Sequence, residues 1–195
     1  GDVYDTTYPS RTTDNTQNMA VVGDVITQKL QEAGIGVIHD TTQHDYPSYN
    51  GAYDRSQKTV EQYLAEYPSI KIVLDVHRDA IASGDQVISA ETEIDGKKAA
   101  QVMIISGCDD GTMGYPDYMK NLSFAAALQN QLEGDYPTLT RPILFDYRKY
   151  NQQLTTGSLL LEIGSHGNTL EQAAYTGELI GKSLGRLLNE MKTAK

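Results

Sequence analysis

The sequence predicts an α/β fold, with a mainly parallel twisted sheet, helices on both faces and a β-hairpin insertion. Three observations carry this expectation. Helix-period and strand-like stretches alternate along the chain, the order that lays helices over a sheet. Residues 70–77 and 157–164 are nearly continuous apolar runs, as expected of strands buried on both faces. Between them, Asp95-Gly96 is a strong two-residue hairpin signal.

Taken in order, residues 14–34 read as a helix, with Val22, Ile26 and Leu30 at four-residue spacing and Gly34 as the stop. Residues 35–39 follow as a strand. Residues 54–67 form a second helix, opened by Asp54 or Ser56, turning Val60 and Leu64 inward and ending before Pro68. The strand 70–77 comes next. From 86 to 107 the pattern changes to two strand-like segments around Asp95-Gly96, the hairpin excursion. Residues 116–131 read as a third helix, 142–147 as a short strand and 157–164 as the most apolar strand. In the last helix Thr169 and Gln172 have capping-box spacing, and Leu170, Ala173, Gly177, Gly181, Leu184 and Leu187 share one apolar stripe. No repeat or low-complexity linker interrupts this order, so residues 1–195 are expected to form one domain.

Composition removes several function classes. With 16 Lys and Arg against 26 Asp and Glu, the net charge of -10 excludes nucleic acid as a partner, because phosphate neutralisation needs clustered positive charge. No apolar run approaches the roughly 18 residues of a membrane span. Cys108 is the single cysteine, which rules out an internal disulfide and a thiolate zinc cluster. The first residue is Gly rather than Met, which reads as a chain cut from a longer one.

The four histidines are placed informatively: His39 ends one expected strand, His44 lies in the loop after it, His77 ends another strand and His166 follows the last. In an open parallel sheet ligands bind beyond the carboxyl ends of the strands, so these loops are expected to converge. Asp40, Asp45, Asp75, Asp79 and Glu162 lie on the same edge, giving the imidazoles and carboxylates that hold Zn²⁺. His77 has acidic residues two positions to either side, which suits a zinc ligand with orienting carboxylates or a buried histidine paired to one of them. Glu162 interrupts Leu159-Leu160-Leu161-Glu162-Ile163, where a carboxylate is costly to bury. Either the strand end is exposed there, or a carboxylate with raised pKa serves as general base and then general acid. The polar, tyrosine-rich loop 41–55, with His44, Asp45 and Arg55, is long enough to be functional rather than a mere connection. Asn168 suits either the cap of the last helix or a substrate contact. Ser165 lacks the flanking glycines of a nucleophile elbow, and Asp109-Asp110-Gly111 lacks the spaced ligands of a calcium loop and reads as a turn.

The motifs His39-Asp40-Thr41-Thr42-Gln43-His44-Asp45-Tyr46-Pro47-Ser48-Tyr49-Asn50, Asp75-Val76-His77-Arg78-Asp79-Ala80, Tyr150-Asn151-Gln152 and Glu162-Ile163-Gly164-Ser165-His166-Gly167-Asn168-Thr169 closely resemble the stage II sporulation protein P family. That family is similar to the zinc N-acetylmuramoyl-L-alanine amidases, which cut the amide between muramic acid and the stem peptide of peptidoglycan. It is also associated with cutting peptide crosslinks during engulfment of the forespore. The resemblance implies His77 as a zinc ligand and Glu162, in a Glu-x-Gly-x-x-x-Asn ending, as the catalytic carboxylate. His44, Asp45, Arg55, Arg78, Asn151 and His166 would contact substrate. It further implies peptidoglycan and other engulfment proteins as partners, and a place on the extracytoplasmic face of the sporulation septum. The family's first zinc ligand is expected in a His-Thr-His-Thr-x-x-Glu-like segment upstream of Gly1, so the chain reads as truncated there, as it does for the family's membrane anchor. The alternative expectation is a non-catalytic module that binds cell wall or joins a complex.

Overall fold

In the computed structural model, which describes residues 11–193, helices α1 (Ala20–Glu32) and α2 (Ala52–Glu66) precede strand β1 (Ile72–Asp79). Two small hairpins follow, β2 (Ala82–Ser83) with β3 (Gln86–Val87) and β4 (Glu91–Ile94) with β5 (Lys97–Ala100). The chain then forms β6 (Val102–Gly107), α3 (Tyr118–Asp135), β7 (Leu144–Asp146), a 3-10 turn (Gln152–Leu154), β8 (Gly157–Ser165) and α4 (Leu170–Thr193). Four strands make the central sheet in the order β1-β8-β6-β7. β1 and β8 run parallel, as do β6 and β7, while β6 and β8 are antiparallel.

The α/β expectation therefore describes the fold, with one correction inside it. Residues 102–107 do not belong to the hairpin excursion; they are a central strand. Val102, Ile104 and Ile105 are buried, and a strand covered on both faces belongs in the middle of a sheet. The Asp-Gly pair specifies only its immediate arms, β4 and β5, joined through left-handed Asp95 (φ 50) and Gly96 (φ 75) as a type I′ turn requires.

Alternation along β8 fixes where the core lies. Leu159, Leu161 and Ile163 enter one cluster with Val22, Ile26 and Leu30 of α1, with Phe124, Leu128 and Leu132 of α3, and with Ile180 and Leu184 of α4. Truncating one of these leucines to alanine costs about 2–5 kcal/mol. Helices α1 and α4 approach closely because α4 presents glycine at the contact. A Cβ on Gly181 would lie 2.6 Å from the Lys29 Cβ and 3.0 Å from the Ile26 carbonyl oxygen. The capping box at the start of α4 is reciprocal: the Thr169 N–H donates to Gln172 Oε1 (3.1 Å) and the Gln172 N–H to Thr169 Oγ1 (3.2 Å).

Three other boundaries differ from the sequence expectation. Residues 35–39 form no strand among the described residues, although Ile35 and Val37 pack on the core. Alternation selects which side chains turn inward, whereas a strand also needs a neighbour to pair with, and β1 pairs only with β8 among the described residues. Helix α1 starts at Ala20 because Asp14 and Asn18 divert the preceding backbone into side-chain-capped turns, Asp14 accepting from the Thr16 N–H and Asn18 from the Ala20 N–H. Helix α2 begins at Ala52, after Gly51 turns the chain at φ 77. No helix among the described residues is long and apolar enough to cross a membrane.

Candidate functional site

The same alternation that sends Leu74, Val76, Leu161 and Ile163 into the core turns Asp75, His77 and Glu162 to the opposite face of the sheet. Parallel pairing of β1 with β8 sets His77 directly across from Glu162. The His77 Nε2 lies 2.8 Å from Asp75 Oδ1, two residues back on the same face, with 39% and 35% of the two side chains exposed. Desolvation acts to lower the imidazole pKa. The charge and hydrogen bond of Asp75, with Glu162 and Asp45 behind it, outweigh that effect and raise it.

Glu162 is costly to place where it stands. Its Oε2 is shielded from solvent and has no hydrogen-bond partner among the described residues. Burial raises its pKa; His77 and Arg141 oppose that shift and the carboxylates of Asp79 and Asp75 add to it, leaving the carboxyl above its ordinary range. A carboxyl whose proton affinity is raised in this way accepts a proton more readily than an exposed one, the direction a proton relay requires.

Helix α2 and the turn before β8 supply the opposite rim. Burial, reinforced by the Asp75 charge, pushes the Tyr53 phenol up, so it remains a protonated donor. Its ring lies 5.0 Å from that of Tyr150. Asn151, in the left-handed region at φ 58, donates from Nδ2 to the Tyr53 carbonyl (2.8 Å) and to Ser56 Oγ (3.1 Å). Asn151 thus pins the start of α2 to the sheet. These residues border an open cavity of about 1930 Å³ that extends around β1 and is lined by side chains from both faces of the sheet.

Of the residues the sequence singled out, His44, Asp45, Arg78, Asn151 and His166 line this cleft with His77 and Glu162. The four histidines do not form one cluster. His39 lies over Gly23 of α1, with Nδ1 2.9 Å from Asp24 Oδ1. The His44 Nε2 lies 2.9 Å from Thr59 Oγ1 on α2. The His166 N–H donates to the Asp79 carbonyl (2.9 Å), which fastens the turn after β8 to the end of β1. Arg55 spends its guanidinium on carbonyls of the loop it shapes: Nε donates to His44 (2.7 Å), Nη2 to Ser48 (2.6 Å) and Nη1 to Asn50 (3.1 Å). Asp45 pairs with Arg11 at 2.7 Å. Asn168 acts as a clasp, its Oδ1 accepting from the Ser165 N–H (2.8 Å) and the Ala90 N–H (3.1 Å) while Nδ2 donates to the Ala90 carbonyl (3.1 Å) and Gln172 Oε1 (3.0 Å). Asp109 and Asp110 accept from backbone N–H groups of their own turn.

Among the described residues no three His, Cys, Asp or Glu side chains converge to hold a metal ion. A catalytic zinc usually takes three protein ligands, and the cleft presents one well-placed imidazole, that of His77. Sequence reasoning also passed over Arg141, which precedes Pro142 in a loop without a motif. Its Nη1 donates to Asp79 Oδ2 at 3.0 Å across 62 positions of sequence, a separation that no local pattern encodes.

The fold is shared with solved cell-wall amidases. The chain superposes on the CwlD amidase from Clostridioides difficile, solved in complex with the GerS lipoprotein, with a TM-score of 0.57 and 10% identity, covering 90% of this chain and 84% of that one. For the N-acetylmuramyl-L-alanine amidase Ami1 from Mycobacterium smegmatis the TM-score is 0.54 at 10% identity, over 88% and 75% of the two chains. At such identities the likeness is one of fold. In sequence, the chain is 30% identical over 166 residues to the stage II sporulation protein P of Bacillus subtilis, covering 80% of this chain and 39% of the relative, so it spans about two fifths of that protein's length. The model of the stage II sporulation protein P family matches residues 3–185, and the chain belongs to that family.

Proposed function

We propose that this chain carries the proton-relay side of a peptidoglycan amidase site, acting on the amide between N-acetylmuramic acid and the stem peptide during sporulation, at the extracytoplasmic face of the septum. The observation that supports it best is the solvent-shielded, unpartnered oxygen of Glu162, held opposite the His77–Asp75 pair in an open cleft. An ionised Glu162 takes a proton from the attacking water and returns it to the departing amine, so that one carboxyl serves both half-steps. Tyr53, kept protonated, offers a hydrogen bond at the rim, while Arg78, His166, His44 and Asp45 border the path of the glycan or peptide. Asn151 keeps the tyrosine rim at its distance from the sheet.

Zn²⁺ belongs to this proposal as the group that, when bound, polarises the amide carbonyl and acidifies water. His77 is the residue here that would ligate it, with Asp75 orienting the ring. The donor set among the described residues is incomplete, so each step above rests on the chain's own side chains. Other engulfment proteins and peptide crosslinks belong to the same proposal as partner and second substrate.

The test is release of stem peptide from purified peptidoglycan, followed by mass spectrometry and by the appearance of a free amino-terminal alanine. Glu162→Gln is expected to slow release about 10²- to 10⁴-fold. A variant that cuts as fast as the parent refutes the assignment, and a parent that holds Zn²⁺ yet releases nothing refutes the amidase reading. A second reading, a wall-binding module without chemistry, is favoured by the incomplete donor set. It predicts that parent and Glu162→Gln co-sediment equally with peptidoglycan and that neither releases peptide.

A further inference from the structure

Arg141 starts on the flank of the sheet away from β1. Its backbone N–H donates to the Val102 carbonyl (2.7 Å), and the neighbouring Thr140 bridges Val102. Its side chain nevertheless reaches Asp79 at the end of β1, with Nη1 3.0 Å from Oδ2. Because β8 and β6 lie between those points, the ion pair spans the two strands near the level where Glu162 pairs with Met103. Asp79 is a joint in its own right. Its Oδ1 accepts from the Ala80 N–H at 2.8 Å and its carbonyl from the His166 N–H at 2.9 Å. The remaining guanidinium donors, Nε and Nη2, are shielded from solvent and unpartnered among the described residues, as are Glu162 Oε2 and His166 Nδ1. Buried guanidinium donors are rarely left unpaired without a reason, and here they belong to a side chain that crosses the strand bearing Glu162.

We propose that Arg141 is a positioning residue of this cleft: one edge of its guanidinium holds Asp79, and through it the His166 turn, while the other edge, which makes no hydrogen bond to Glu162 in this structure, is the donor that orients that carboxylate across β8 when the site is engaged. The planar fork matters as well as the charge, since two edges must serve two directions at once. This inference rests on the reading of the cleft as an amide-hydrolysing site, and the experiment separates the two.

The protein is labelled with ¹⁵N, and the Arg141 Nε–H signal is followed in the parent, Glu162→Gln and Asp79→Asn, alongside steady-state peptide release by Arg141→Gln, Arg141→Lys and Arg141→Gln/Asp79→Asn. A signal that resists solvent exchange and moves beyond its linewidth in both single variants is expected. Arg141→Gln is expected to lower kcat about 10- to 100-fold with KM little changed. Arg141→Lys should recover less than half of that loss, and adding Asp79→Asn should cost little more, because both changes break one link. The proposal is overturned by an Nε–H signal that exchanges freely or ignores Glu162→Gln. It is equally overturned by a kcat loss matched by the loss of folded protein in urea, or by additive effects of the two substitutions. If the signal behaves as expected but a parent that holds Zn²⁺ releases no peptide, the positioning role stands and the amidase reading falls.

Discussion

Gly107→Ala tests whether the cleft rim is built on the sheet or merely near it. Gly107 ends β6, and a Cβ placed there would lie 2.0 Å from the Arg148 carbonyl oxygen and 2.9 Å from its carbon. An ordinary carbon–oxygen approach is about 3.3 Å, so the 148–151 backbone must retreat by about 1.3 Å. Overpacking of this kind costs about 1–3 kcal/mol. The retreat also strains Gln152, which accepts from the Gly107 N–H and donates to the Ile105 carbonyl, both at 2.9 Å; losing these bonds adds about 0.5–1.5 kcal/mol each. The expected sum is about 2–6 kcal/mol, which for a chain of this size lowers Tm by roughly 4–24 °C. Because Tyr150 and Asn151 ride on the displaced segment, peptide release should fall even where the variant is fully folded. Calorimetry paired with the release assay at a temperature well below both transitions measures the two effects separately. Gly134→Ala is the matched control. It lies within α3 with nothing within 4 Å of an added methyl, and it should raise stability by about 0.5–1 kcal/mol. A Gly107→Ala protein within about 1 kcal/mol of the parent, or one destabilised with unchanged turnover, refutes the coupling.

Four further outcomes follow from the same coordinates. Asn168→Ala removes five hydrogen bonds that join the His166 turn, the approach to β4 and the α4 cap, and should cost about 2–4 kcal/mol in urea unfolding. Asn121→Ala leaves the Gln152, Thr155 and Ser158 carbonyls without their buried donor and should cost a similar amount, read from the same titration. Burial works to raise the pKa of both Glu133 and Asp135. Thr140 and Thr138 lower Glu133 below its ordinary range, and Ser183 and Arg186 do the same for Asp135. For both, the unfolded chain binds protons more readily, so their stabilisation is complete above the unfolded pKa and is lost as pH falls through the folded value. The urea midpoint should drop between about pH 5 and pH 3, and Glu133→Gln with Asp135→Asn should flatten that drop. Glu162 has the opposite sign, since its folded pKa is raised and its burial costs stability increasingly as pH rises from the unfolded value. Glu162→Gln should therefore be more stable than the parent at pH 8 than at pH 5 by comparison, and a pH-independent difference refutes the shift.

Much of the fold was legible because it depends on spacing that one segment carries by itself. The capping box of α4, the Asp95-Gly96 turn and the apolar run of β8 are local, and each appears where the residues put it. His77 and Glu162 were legible for a related reason. A polar residue in an apolar strand run is conspicuous in sequence, and parallel register then sets the two opposite each other. Pairing partners were not legible. Residues 35–39 alternate like a strand without a ladder among the described residues, and 102–107 resemble a hairpin arm yet pair with β8, some 60 positions away. Arg55 closes the polar loop 41–55 and is expected from the sequence to contact substrate. Only coordinates show its donors turned onto three carbonyls of that loop.

The two strands that bear the site are packed very differently, and this divides stability from chemistry. Eight of the nine residues of β8 are buried, whereas every residue of β1 is half-buried, including Ile72, Val73, Leu74 and Val76. Glu162 is thus the one half-buried residue of β8, set on a strand whose other side chains are enclosed, while His77 and Asp75 sit on a strand that is half-buried throughout. The consequence is an asymmetry in mutational cost: Leu161→Ala should unfold the protein before it reveals anything about turnover, whereas Val73→Ala should be tolerated well enough for turnover to be measured.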